Sequence, residues 1–290
     1  MKKFLKKYEG RLVGKKVAVT GATGGIGEHL CSAVLRLGGS LIMLGRNEQK
    51  LIALKEKLAK ETQNSIEIIV ADMENIGSCF IAAEKIKELG ADMLIHNAGA
   101  YQIPRHRTET GFNNVFTINF ISPYALTRWL INDLERIVVV GSIAHNYSKT
   151  DPQDTDFSFR RAASLCYGNA KRYLMFSHFE LQGRGRAEIS VTHPGITLTN
   201  ITAHFPKMLY FFIKPLMKII FMKPENAAIN IPTGLFENTP KYSWFGPGIF
   251  DVWGGVKFRK LKTTKPAEIE KIAEKSEEIY KIVQNMQKNL

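Results

Sequence analysis

The sequence has little cysteine: three residues in 290, at Cys31, Cys79 and Cys166, widely spaced and without a CxxC pair. That excludes a disulfide framework and a thiolate metal site, and the odd count fits a reduced, intracellular protein. Its seven histidines include no HExxH and no paired spacing, so no metal is expected. The basic opening, MKKFLKKYEGRLVGKK, lacks the apolar stretch that a secretory signal or membrane anchor needs. Internal repeats, low-complexity linkers and recognisable nucleic-acid-binding motifs are also missing, although the net charge is +13. The lysines are scattered as on solvated helix faces, so a basic surface is the plain explanation and nucleic acid is not expected as a partner.

What is present is a regular alternation. KKVAVTG (15–21), SLIMLG (40–45), IEIIVAD (66–72), ADMLIHNAG (91–99), ERIVVVGS (135–142) and AEISVTHPG (187–195) are short apolar runs that read as buried strands. Between them lie segments with helical spacing. One is GIGEHLCSAVLRLGG, which stops at a Gly-Gly helix end; others are a long stretch near 109–134 and another near 158–182. Near-continuous apolar strands separated by helices predict a parallel sheet covered on both faces. With 44% hydrophobic residues and no composition break, the whole chain, 1–290, is expected to be one domain with its core in 12–240.

TGATGGIG (20–27) sits between the first strand and the first helix. Glycines there let the backbone turn sharply and approach a pyrophosphate, and the helix start offers free N–H groups and a positive dipole end. The second strand ends in Gly45-Arg46, where an enzyme preferring NAD carries an acid for the ribose hydroxyls. A guanidinium suits a 2′-phosphate instead, so NADP(H) is expected over NAD(H). In CYGNAKRYL (166–174), Tyr167 and Lys171 are four positions apart and share one helix face. A free tyrosine has a pKa near ~10, too high for a base at neutral pH, and a nearby ammonium lowers it.

Taken in order, these stretches resemble the short-chain dehydrogenase/reductase family over about residues 12–240. TGATGGIG is similar to TGxxxGxG through Gly21, Gly25 and Gly27. It also fits the TGxxGxxG of the family's extended branch through Gly21, Gly24 and Gly27. HNAG (96–99) resembles NNAG with His96 in place of the first Asn, and Asn119, Ser142, the Tyr167–Lys171 pair and HPGITLT (193–199) follow. The HNAG and PG motifs and the modest length favour the shorter branch. The 25 positions from Ser142 to Tyr167 exceed those of many members, and with the Ser-Ile-Ala-His string they look similar to the retinol-dehydrogenase-like subgroup.

The resemblance implies a Rossmann-type doubly wound α/β domain, with Tyr167 as the acid/base and Lys171 holding the nicotinamide ribose. Ser142 would polarise the carbonyl, and Asn119 would position a water in a relay to Lys171. Cofactor contacts are implied for Gly21, Thr23, Gly24, Gly25, Ile26 and Gly27 of the loop, for Arg46, and for Asp72 with Met73 after the third strand. Asn97, Ala98 and Gly99 of HNAG are implied too, as are Pro194, Gly195, Ile196, Thr197 and Thr199 after the sixth strand. The expected activity is NADP(H)-dependent exchange of a carbonyl and an alcohol on a hydrophobic substrate such as a steroid, retinoid-like or aliphatic compound. A nucleotide-sugar enzyme of the extended branch and a catalytically silent NADP(H)-binding or membrane-docking protein are the alternatives.

FPKMLYFFIKPLMKIIFM (205–222) is 18 residues, 13 of them apolar, with three lysines and two prolines. Those lysines and prolines argue against a membrane span. A helical lid over 199–223 that touches an apolar substrate or a membrane surface is expected; a subunit interface is the other reading. The protein is therefore expected to be cytoplasmic, with peripheral membrane contact through this segment. PAEIEKIAEKSEEIYKIVQNMQ (266–287) repeats Ile269, Ile272, Ile279, Val283 and Met286 at helical spacing. This amphipathic helix is expected to pack on the body of the protein, with pairing to a second subunit as the alternative. A homo-oligomer is compatible with the family, and no residue decides it.

Overall fold

The computed structural model describes residues 2–147, 149–197, 222–262 and 265–288. One eight-stranded sheet runs in the order β3-β2-β1-β4-β5-β6-β7-β8. Its strands are β1 (Lys16–Thr20), β2 (Ser40–Gly45), β3 (Ile66–Val70), β4 (Met93–His96), β5 (Arg136–Val140), β6 (Glu188–Thr192), β7 (Ser243–Ile249) and β8 (Trp253–Lys260). All neighbouring pairs are parallel except β7 with β8. The strand order reverses beside β1, which has β2 on one side and β4 on the other. That opens a crevice at the carboxyl ends of β1 and β4.

Side-chain alternation divides the core in two. Val17 and Val19, Leu41 and Met43, and Val138 and Val140 face one apolar cluster. Ala18, Ile42 and Leu44, and Ile137 and Val139 face the other. A period of two with apolar residues on both faces requires cover on both sides. On one side lie α1 (Lys2–Lys7), α2 (Gly25–Arg36), α3 (Glu48–Ala59) and α8 (Pro224–Asn230). On the other lie α4 (Ile76–Glu88), α6 (Ser122–Leu130), α7 (Ala163–Leu181) and α9 (Pro266–Gln287). The α9 helix has the bounds expected from its periodicity and packs on the body: Ile269, Ile272, Ile279 and Val283 are buried in the cluster with α7. Among the described residues no helix is long and apolar enough to cross a membrane. The three cysteines are free and buried.

Several boundaries differ from expectation. The strands expected over 66–72 and 91–99 stop at Val70 and His96, because their last residues turn out of the sheet toward the crevice. The expected helix over 109–134 begins only at Asn114. Asn113 caps it by accepting from the Phe116 N–H at 2.9 Å. After α5 (Asn114–Phe116) it passes through a π-helical stretch, Thr117–Ile121, before α6. The helix expected near 158–182 starts at Ala163. The β7–β8 hairpin lies outside the expected strands; Gly-Pro-Gly in β7 and Gly-Gly in β8 disfavour a strand locally. Both strands form because each supplies the other's ladder; β6 reaches β7 at a single pair, Thr192 with Phe245. Of the expected 199–223 segment, residues 199–221 lie outside the described residues.

Among the described residues four histidines are buried, and each is held neutral. Nδ1 of His178 contacts the Leu174 carbonyl at 2.7 Å, so it carries the proton and Nε2 accepts from Thr127 at 2.9 Å. Thr127 Oγ1 then accepts from Nε2 of His96 at 2.8 Å, which leaves His96 Nδ1 without a hydrogen and without a partner among the described residues. His145 donates Nδ1–H to the Ser142 carbonyl at 2.7 Å, and His193 stacks on Trp244 at 4.7 Å. Burial pushes His145, His178 and His193 down to about 4 and His96 well below its ordinary value. Because these folded pKa values lie below the unfolded value of ~6.5, the unfolded chain binds protons first as pH falls. The stability they contribute is complete above that value and is lost on the way down toward about pH 4. Each adds a slope of at most about 1.4 kcal/mol per pH unit. We expect the urea midpoint to be level from about pH 7 to 8 and to fall steadily below about 6.5. An unchanged midpoint at about pH 5 would contradict the neutral burial of these rings.

Candidate active site

The crevice is built around Thr20, the last residue of β1. Its Oγ1 accepts from the backbone N–H groups of Asn97 and Ala98, each at 3.0 Å. The Asn97 amide reaches back to the carbonyls of Thr20 (3.0 Å) and Gly21 (3.2 Å). The glycine loop and the turn after β4 are thereby laced together without room between them. Gly21 has φ +67°, and a Cβ there would lie 2.8 Å from the Ala98 Cα. A Cβ at Gly27 would lie 2.2 Å from the Gly21 carbonyl oxygen. Gly24 precedes α2 as a cap with no side-chain hydrogen bond, and Gly24 and Gly25 are exposed. The first turn of α2 therefore faces the crevice with backbone N–H groups and little side-chain bulk, a geometry that fits a pyrophosphate. Thr23 lies against Gly45 at the end of β2. The next residue, Arg46, is exposed and makes no ion pair with any described residue. Ile26 packs on the core beneath the loop.

At the end of β3, Asp72 Oδ1 accepts from the Glu74 N–H at 3.0 Å, and buried Met73 takes the Ser122 hydroxyl on its carbonyl at 2.6 Å. Asn119 lies in the π-helical stretch, fully buried. It donates to the carbonyls of Ala100 and Val115, both at 2.8 Å, and accepts from the Ala100 N–H at 3.3 Å. Its side chain is thus committed to shaping the turn after β4 and the kink of the central helix. Single π turns are common at functional sites. Gly99 fits between this side chain and Lys171: a Cβ there would be 2.9 Å from Asn119 Oδ1 and 3.7 Å from Lys171 Nζ.

Helix α7 brings the expected pair to the same place. Ser142, just past β5, lies close enough to the Tyr167 hydroxyl to favour its ionised form. It also caps the short 3-10 turn Ile143–Asn146 by accepting from the Ala144 N–H. Lys171 is 3% exposed and donates to the Val140 carbonyl at 3.0 Å. The expectation that its ammonium lowers the tyrosine pKa is not met. Nζ lies 5.7 Å from the Tyr167 ring centroid and is turned toward Val140. Burial pushes Tyr167 up to about 12, with nearby Ser142 acting in the opposite direction, and pushes Lys171 down to about 8. Tyr173 points elsewhere, into an aromatic cluster with Phe116 and Phe120.

The loop after β6 closes the site. The Pro194 carbonyl accepts from Asn230 of α8 at 3.2 Å, and Gly195, at φ +96°, would place a Cβ 2.9 Å from the Val252 carbonyl oxygen. Ile196 accepts from the Met222 N–H at 2.8 Å, and Thr197 bridges Met222. Thr199 lies outside the described residues. Sequence reading missed Tyr101, which meets the Tyr167 ring edge-on at 5.3 Å, and Tyr147, 53% exposed near the same site. Tyr101 directly follows the HNAG turn, a position that the motif could have flagged.

Comparison with known proteins agrees with this geometry. The family model described as short chain dehydrogenase matches residues 15–151. The human polyprenol dehydrogenase is 28% identical, over 72% of this chain and 69% of its own. The human retinol dehydrogenase 14 is 29% identical, over 73% and 69%. A short-chain dehydrogenase from Sphingobium yanoikuyae, solved in complex with NADPH, has a TM-score of 0.58 at 20% identity, covering 76% of this chain and 84% of that one. Strand order, the interlaced loops at the crevice and these matches support a place for the chain in the short-chain dehydrogenase/reductase family, oxidoreductases acting between CH–OH and C=O.

Proposed function

We propose that the protein is an NADP(H)-dependent oxidoreductase that interconverts a carbonyl and an alcohol on a hydrophobic substrate. The observation that carries this reading is the meeting of Ser142, Tyr167 and Lys171 beside the glycine loop, on elements that come from distant parts of the chain. A nicotinamide held by the glycine loop and Lys171 would supply or accept the hydride. In the reductive direction the Ser142 hydroxyl donates to the carbonyl oxygen and polarises it, and Tyr167 delivers the proton to the same oxygen. In oxidation Tyr167 removes the hydroxyl proton. Its raised pKa suits the proton-donor role in the free protein; the base role needs the extra positive charge of an oxidised nicotinamide nearby. Lys171, buried beside Gly99, would hold the ribose hydroxyls.

Arg46 supports the choice of NADP(H). It is exposed beside Thr23, where the chain carries no acid, and a planar guanidinium pairs bidentately with a phosphate. The solved relative with NADPH is in line with this. The hydrophobic substrate is supported by Tyr101 and Tyr147 beside Tyr167 and by relatives named for polyprenol and retinol. Segment 205–222 contributes to this reading by its sequence alone, either to the substrate or to a membrane surface.

Replacing Tyr167 by Phe is expected to leave NADPH affinity within twofold and to lower kcat by about 10²–10⁴-fold, the usual range for a general acid. Turnover close to that of the parent protein in a stopped assay with a hydrophobic aldehyde would sink the mechanism. Arg46→Asp is expected to weaken NADPH binding by about tenfold or more, roughly 1.4 kcal/mol, while NADH binding holds or improves. A fluorescence titration with each cofactor reads this, and equal losses for both would show that Arg46 does not select the phosphate.

A further inference from the structure

Ser142 stands at the start of the long excursion to Tyr167, where the described backbone offers only the short turn Ile143–Asn146 before α7 begins at Ala163. Backbone bonds from Gly141 N–H to the Thr192 carbonyl (2.8 Å) and from His145 N–H to the Ser142 carbonyl (3.1 Å) hold it, and side-chain bonds add to them. The Ser142 carbonyl accepts from Nδ1–H of His145, and the His145 carbonyl accepts from Nη1 of Arg172 at 3.1 Å. Arg172 directly follows Lys171 and is 4% exposed. Its Nε and Nη2 donate to the two oxygens of Glu268, each at 2.7 Å, in the bidentate form. Oε1 of Glu268 also accepts from the Thr150 N–H (3.0 Å) and hydroxyl (3.3 Å). One carboxylate in the first turn of α9 thus reaches α7 next to the catalytic lysine and two points of the Ser142 loop. A charge buried this deeply is tolerated only with such partners, and loss of one partner leaves the other uncompensated.

We propose that Glu268 and Arg172 are positioning residues for Ser142, so that the C-terminal helix is a working part of the active site. This rests on the reading of Ser142 and Tyr167 as the reacting pair. The bidentate link fixes the Arg172 side chain, Arg172 fixes the His145 carbonyl, and His145 fixes the Ser142 backbone from which the hydroxyl reaches Tyr167.

Two variants test it in the full-length protein: Glu268→Gln, and the double replacement Arg172→Met with Glu268→Leu, which removes both buried charges together. In both, hydrogen exchange of the amides of residues 143–147 and 149–150 is expected to accelerate by about tenfold or more, while the glycine loop exchanges at its original rate. NADPH affinity stays within twofold, and kcat for a hydrophobic aldehyde falls by up to about 10²-fold, the cost of a misplaced catalytic group. The double variant is expected to keep its melting temperature, which separates positioning from stability. Unchanged exchange in Glu268→Gln, or a double variant that turns over like the parent, would overturn the proposal. If the parent reduces no carbonyl compound with NADPH, the functional reading fails, and the exchange rates alone still decide whether the brace holds the loop.

Discussion

The structure depends on the tie between Thr20 and Asn97. Thr20 ends β1 and Asn97 follows β4, the two strands at the reversal of strand order, and four hydrogen bonds among Thr20, Gly21, Asn97 and Ala98 join the glycine loop to the turn after β4. A crevice between parallel strands exists wherever the order reverses, but its lips are loops and would otherwise be free to drift. Here they are held so closely that Gly21 and Ala98 touch without space for one more carbon. From that tie the geometry passes along Gly99 to Asn119 and Lys171, so both halves of the site are built from one junction.

Around it, burial sets the electrostatics more than charge pairing does. Tyr167 is pushed up, Lys171 down, and the buried histidines are held neutral, all by removal from water. The site of the free protein therefore holds neutral hydroxyls beside one lysine, Lys171, whose hold on its proton is weakened. Its serine and tyrosine hydroxyls and its lysine are arranged as neutral or weakly paired groups that a charged cofactor would polarise. A strongly paired charge nearby, Arg172 with Glu268, lies behind the site, where it bears on geometry.

Much of this was legible in the sequence because it is local. Apolar runs with alternating sides specify strands, the loop glycines mark a backbone that cannot carry side chains, and the i, i+4 spacing of Tyr167 and Lys171 places both on one helix face. The α9 helix was legible from periodicity alone. The β7–β8 hairpin was not, since glycine and proline disfavour strands and only mutual pairing overrides them. Nor was the orientation of Lys171, because its ammonium answers to the Val140 carbonyl, 31 positions away.

By itself the sequence determined the α/β alternation, the order of the motifs and the identity of the groups able to do chemistry, since each follows from neighbours a few residues apart. Only the tertiary structure decided how those groups are held. The neutral state of His96 and His178, the raised pKa of Tyr167 and the reach of Glu268 to Arg172 all arise from contacts or burial between segments far apart in the chain. Long-range contacts of this kind leave no periodic trace, because their partners are chosen by the packing of helices on a sheet and not by spacing along the backbone.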